Sequence, residues 1–266
     1  MRDLFWLGIA AKLIASAAVV VLASLVAEAT GPLGAAMIAS LPITAGPSYV
    51  LLAMDHDSAF VAATALAGLA GLPATAPFIV VYATLARPAG LCGSLLAALA
   101  AWAGTALLLR QVEWTLPGAL AMNTGAFLLG ALLSRHLSRA RSSSGAARRW
   151  WEIPVRATLV AGLVGTVLVI GRVLGPSAAG LATVFPLTMS SLVLILHPRL
   201  GWQVSAAMLV KSQLGLVGFG FALALVTRAA PVFGAAVGLA LGLCASVAWN
   251  LTLLILAHRE RAKIAA

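Results

Sequence analysis

The chain has 266 residues, 62% of them hydrophobic and 9% charged, with a mean hydropathy of +1.06. A water-soluble fold could not hide so much apolar side chain, so the composition excludes a soluble globular domain and points to a lipid bilayer. The formal charge of +10 does not imply nucleic-acid binding, because the basic residues crowd the flanks of apolar runs, where they set membrane topology.

A spanning helix needs about 20 apolar residues, and nine runs qualify: roughly 5–27, 33–54, 58–86, 89–109, 115–134, 154–173, 177–197, 202–227 and 231–257. Spanning strands would alternate in polarity over about 10 residues, and these runs are too long and too uniformly apolar for a barrel. The first run ends in Ala27-Glu28-Ala29 and so has the small-x-small pattern of a signal-peptide cleavage site. Its full-span length and the internal Lys12 favour a retained helix. Pro73, within the third run, leaves open whether that helix is split. Cys92 and Cys244 each stand alone in an apolar run and imply neither a disulfide framework nor a metal site.

Sliding the chain on itself by 144 residues aligns 31–72 with 175–216 without a gap. Gly31-Pro32 falls on Gly175-Pro176, Pro42 on Pro186, Thr44 on Thr188 and Lys12 on Arg156. Proline is uncommon and has a mechanical meaning in a helix, so these matches carry more weight than the Ala and Leu identities around them. The chain therefore divides into a four-helix repeat over 1–110, a connecting helix over 111–134, a basic cytoplasmic linker over 135–153, a second four-helix repeat over 154–258 and a basic tail over 259–266. One connecting helix inverts the second repeat relative to the membrane. The arginines of 135–149 and the Arg259, Arg261 and Lys263 cluster place linker and tail in the cytoplasm, and nine crossings put the N-terminus outside. The expected location is a bacterial inner membrane. The plan resembles that of inverted-repeat inner-membrane carriers, a likeness of architecture that assigns no residue a role.

Proline removes a backbone donor and clashes with the carbonyl one turn earlier, so Pro42 and Pro186 are expected to open the second helix of each repeat, and Pro47 to widen the first opening. Freed backbone groups at membrane depth need polar partners or a polar ligand. Thr44, Gly46 and Ser48 stand around the first break, and Thr188, Ser190 and Ser191 around the second. A packing kink is the bland account of any one such helix, whereas paired interruptions in two halves point to a transporter site. Lys211 lies about ten residues into its run, followed by Ser212 and Gln213, with no acidic residue at comparable depth in any run. Either it meets an anionic solute or its long side chain snorkels to the interface. Asn123, Thr124 and Asn250 add neutral polar groups at depth, suited to a pathway or to interhelical hydrogen bonds. Asp55, His56 and Asp57 end the second run as loop acids or a titratable gate.

No phosphate-binding glycine loop, no His/Cys cluster at metal spacing and no nucleophile-base pair is legible, so no enzyme activity, metal, cofactor or nucleic-acid partner is expected. The reading is an all-α integral membrane protein of two inverted four-helix repeats, a secondary transporter of a small anionic or carboxylate-bearing solute. An uncoupled channel and a membrane-embedded scaffold are its rivals. The partners are the bilayer and the solute, and small-residue-rich helices also permit a homodimer.

Overall fold

A computed structural model describes Ala18, residues 45–139 and residues 152–265. The run 5–27, the first Gly-Pro pair, Pro42 and Thr44 lie outside the described residues. Every regular element among the described residues is helical. Six described helical stretches are long and apolar enough to cross a membrane. One of them, Ala157–Leu200, holds 44 residues. At about 1.5 Å per residue that is roughly twice the thickness of a hydrocarbon core.

Helix α1 (Ala45–Asp55) leads to α2 (Ser58–Gly71), whose first turn is capped by Asp57 accepting from the Phe60 N–H at 2.8 Å. Pro73 does not split the third run. A 3₁₀ turn over Leu72–Ala74 carries the chain from α2 into α3 (Thr75–Leu85), and Ser58–Leu85 remains one 28-residue span. Helix α4 (Gly90–Leu109) and α5 (Leu116–Ser134) follow, α5 starting with a Thr115 cap and Pro117 in its first turn. A 3₁₀ segment over Arg135–Arg139 ends the first described block.

In the second block, α6 (Glu152–Thr183) is bent where Gly175 takes φ +80°, a backbone conformation glycine adopts without penalty, and Pro176 restarts the helix beyond it. The chain leaves the helix again at Val184–Pro186 and resumes as α7 (Leu187–Leu200). Helix α8 (Trp202–Phe233) runs to Gly234, and α9 (Ala235–Ala265) completes the chain. The stretch beyond 258, expected as a tail, continues α9 as helix through Ala265.

Burial decreases from the centre outward. Of an 18-residue apolar window in each span, 72% is buried in Ser58–Leu85 and 61% in Trp202–Phe233, against 22% in Leu116–Ser138 and 17% in Ala235–Ala257. The outer helices turn large apolar side chains outward, among them Leu107, Leu129, Leu133 and Leu251, as lipid contact requires. Helix α8 is the hub, packing against α2, α3, α5, α7 and α9.

Three polar contacts show which helix ends share a face. Arg172 pairs with Asp55 at 2.9 Å, and the Ala235 N–H donates to Ser58 Oγ at 3.1 Å; these mark one face. At the other, Tyr82 Oη meets His197 Nδ1 at 2.7 Å. The Asp55–Arg172 and Tyr82–His197 contacts each join the first 110 residues to residues 154–258, one at either face.

Candidate functional site

The break at Val184–Pro186 follows from backbone chemistry. Pro186 has no N–H for the Ala182 carbonyl, which instead accepts from Phe185 at 3.2 Å. Past the break, the Pro186 carbonyl accepts from both the N–H (2.9 Å) and the hydroxyl (2.8 Å) of Ser190, so α7 starts on its own side chain. Ser191 likewise donates to the Thr188 carbonyl at 2.8 Å.

The half-helix before the break is held against α2 by two glycines. A Cβ on Gly180 would collide with the Thr64 carbonyl and would lie 2.7 Å from Ala67 Cβ and 2.8 Å from Gly68 N. Such contact lets two backbones approach as closely as small residues allow in membranes. Beside it stands a buried hydroxyl cluster: Tyr49 Oη donates to the Thr64 carbonyl at 3.2 Å, and Thr183 Oγ1 lies 3.3 Å from Tyr49 Oη and donates to the Gly180 carbonyl at 2.6 Å. Tyr49, Thr64 and Thr183 are all at most 3% exposed. A buried hydrogen bond of this type is worth about 1 kcal/mol, so Tyr49→Phe is expected to lower stability by about that amount. A thermal melt unchanged by the substitution would show that the cluster does not hold the half-helix.

At the 144-residue offset, Tyr49, Thr64 and Gly68 fall on Val193, Met208 and Ser212. There, between α7 and α8, the structure has a cavity of about 10 Å³ instead of a hydroxyl cluster, with Ser205 and Ser212 as its polar lining among Met189, Leu196 and Met208. That volume suits about one water molecule. The two places related by the 144-residue offset thus differ, one filled and hydrogen-bonded, the other open.

A second buried polar region lies between α5 and α8. Asn123 of α5 presses its amide onto Gly220 of α8, and Gln213 of α8 presses its amide onto Gly130 of α5. The two contacts are reciprocal and seven residues apart on each helix, so they key the antiparallel pair in one register. Gln213 donates to Ser134 Oγ at 3.1 Å, but its Oε1 and both polar atoms of Asn123 have no partner among the described residues. Both amides are fully buried.

The residues expected at the site are only partly brought together. Ser48, Ser190 and Ser191 are buried, and Thr188 is half-buried. Gly46 and Pro47 are both helical, within the first three residues of α1, and a Cβ on Gly46 would meet nothing within 4 Å among the described residues. Proline fits a first helical turn because its φ is already helical and no N–H is needed there; the opening expected at Pro42, which Pro47 was to widen, lies outside the described residues. Lys211 is exposed, on a stripe of α8 shared with Leu214, Phe221, Leu225 and Arg228, whereas its neighbour Ser212 faces the cavity. Residue sorting by type alone missed Tyr49, Thr64 and Thr183. The available signal was rarity: the chain has 2 tyrosines, and both make polar contacts between the first 110 residues and residues 154–258.

Neither a protein-family model, nor a curated protein, nor a solved structure matches this chain.

Proposed function

We propose that the protein is a secondary transporter of a small, anionic or carboxylate-bearing solute, working by alternating access around two proline-broken helices in an inverted-repeat inner-membrane fold. The observation that carries the reading is the break at Val184–Pro186, a membrane-depth interruption whose flanking half-helix touches the other half through Tyr49 and Gly68. Inversion is supported by element bounds that repeat at 144 residues: α1 matches α7, Ser58–Leu85 matches α8, and α4 matches α9, each member of a pair running opposite to its mate. The Tyr82–His197 face carries Arg87, Arg135, Arg139 and Arg199, while the Asp55–Arg172 face mixes Asp55, Asp57 and Glu113 with Arg110, Arg172 and Arg228. The positive-inside rule then puts the first of these faces, and the C-terminus, in the cytoplasm, and the N-terminus outside. Thr44, Ser48, Thr188, Ser190 and Ser191 are the hydroxyls assigned to the break, and Lys211, on the exposed stripe of α8, is the cation assigned to an anionic solute.

The experiment is a thermal-shift screen of the full-length protein in detergent against small organic and inorganic anions, with Lys211→Ala alongside. An anion at about 100 times its dissociation constant should add about 2.7 kcal/mol of stability, and the shift should vanish in the variant. No shift with any anion, or a shift that the variant retains, overturns the anion assignment.

A scaffold without transport is the second reading, and one observation favours it. Ser190, Ser191 and Thr183 all donate to carbonyls of their own helix, which is how hydroxyls behave when they only repair a kink. On that reading Lys211→Ala and Thr188→Ala together leave the cellular phenotype intact.

A further inference from the structure

Helix α8 is buried over most of its surface, yet Lys211, Leu214, Phe221, Leu225 and Arg228 are exposed. Their positions follow one seam of alternating spacings of 3 and 4, whose missing member is Gly218. A Cβ on Gly218 would collide with the Trp249 side chain of α9. An indole therefore stands across the middle of the seam, its ring centroid 5.5 Å from that of Phe221. On both sides of the seam α8 is packed: Gln213 and Gly220 meet α5, while Ala222 and Val226 meet α9 at Gly242. The stripe is thus a furrow one residue wide between two helices, open to the bilayer.

Charge identifies the occupant. Lys211 and Arg228 stand at the two ends of the seam, and neither has an ion-pair or hydrogen-bond partner among the described residues. A hydrocarbon core of about 30 Å centred on the 32-residue α8 ends near residues 208 and 227. Each cation then lies within about one turn of a core edge, a distance its side chain spans toward the headgroups. A second copy of this chain, related by an axis along the membrane normal, would set Lys211 against Lys211 and Arg228 against Arg228, so charge opposes self-pairing here. Between the cations, Leu214, Phe221 and Leu225 offer only apolar surface.

We propose that this seam holds one anionic phospholipid from each leaflet, one phosphate against Lys211 and the other against Arg228, with acyl chains meeting at Trp249. Lys211 is also the cation assigned to the solute, so lipid and solute compete for it, whereas Arg228 reports on lipid alone. The lipid assignment does not rest on the transporter reading.

The test is native mass spectrometry of the full-length protein in mild detergent, with equal amounts of phosphatidylglycerol and phosphatidylcholine of the same acyl chains. A basic residue at headgroup level favours an anionic lipid about fivefold. Lys211→Gln and Arg228→Gln should each carry one phosphatidylglycerol fewer than the parent, and the double variant two fewer. An equal preference for the two lipids in the parent, or an excess of phosphatidylglycerol that the double variant keeps, overturns the seam. Where a glutamine variant fails to accumulate, Leu214→Trp and Leu225→Trp fill the furrow with both charges kept, and each should lose one lipid; retention of both lipids overturns the proposal. Free glycerol phosphate, added to Lys211→Gln, should leave the lipid at Arg228 in place, and its displacement would give that cation to a water-borne anion instead. The expected lipid losses alongside a thermal-shift screen with no active anion would end the anionic-solute reading and leave the seam standing. An active anion without the lipid losses would end the seam alone.

Discussion

Replacing Gly180 with alanine should destabilise the protein by about 3 kcal/mol, and valine by more, because the added Cβ meets backbone that cannot move aside. The colliding atoms are the Thr64 carbonyl, Ala67 Cβ at 2.7 Å and the Gly68 amide nitrogen at 2.8 Å. Relief requires the half-helix before the break to withdraw from α2, which would also pull Thr183 from Tyr49. For a chain of this size the melting temperature should fall by roughly 6–12 °C. Gly162, on the same helix α6, is the internal control: a Cβ there meets nothing within 4 Å. Gly162→Ala should be neutral or stabilising by up to about 1 kcal/mol, since alanine loses less backbone freedom in a helix. Equal melting temperatures for the two alanine variants would mean that α2 and the half-helix do not meet at this pair.

The second large effect is expected at Gln213. Its side chain is fully buried, with Nε2 donating to Ser134 and Oε1 facing Gly130 without a partner among the described residues. Gln213→Glu replaces the amide donor with a carboxyl that has no donor facing it, and should cost about 3 kcal/mol. Gln213→Met keeps the length of the side chain and removes the orphaned oxygen. Its cost should stay within about 1 kcal/mol, because the Ser134 hydroxyl still donates to the Gly130 carbonyl at 2.6 Å. Thermal melts of the two variants side by side decide the matter. A glutamate variant as stable as the parent would show that a donor or a cation reaches Oε1 in the membrane.

These residues show where reading the sequence stops. Backbone punctuation was legible: the bend at Gly175-Pro176, the break at Pro186 and the ends of Ser58–Leu85, α4 and α5 fall at or within a few residues of where proline, glycine and hydropathy placed them. Whether Pro73 splits its helix was not legible; a 3₁₀ turn absorbs the missing donor there, as a first turn does at Pro47. Which face a residue presents was not legible. In lipid the outer face of a helix is as apolar as its packed face, so the pattern that separates core from surface in soluble helices disappears. Lys211 and Ser212 are neighbours in sequence, yet one is exposed and the other lines a cavity. Contacts such as Thr183 with Tyr49, 134 residues apart, depend on the order in which helices assemble, which no local motif encodes.

The reciprocal keys between α5 and α8 also have a consequence for how the chain is made. Asn123 emerges during synthesis well before the glycine that receives it, because Gly220 follows it by 97 residues. At roughly 5–20 residues per second that interval is on the order of 5–20 s. Throughout it, α5 holds an amide in the bilayer with no notch to fill, and Gly130 holds a notch with no amide. A ribosome that stalls inside the second half therefore leaves α5 as a polar-studded helix without its mate, the kind of segment that membrane quality control removes. Completion of α8 is the moment at which α5 becomes a fixed part of the protein.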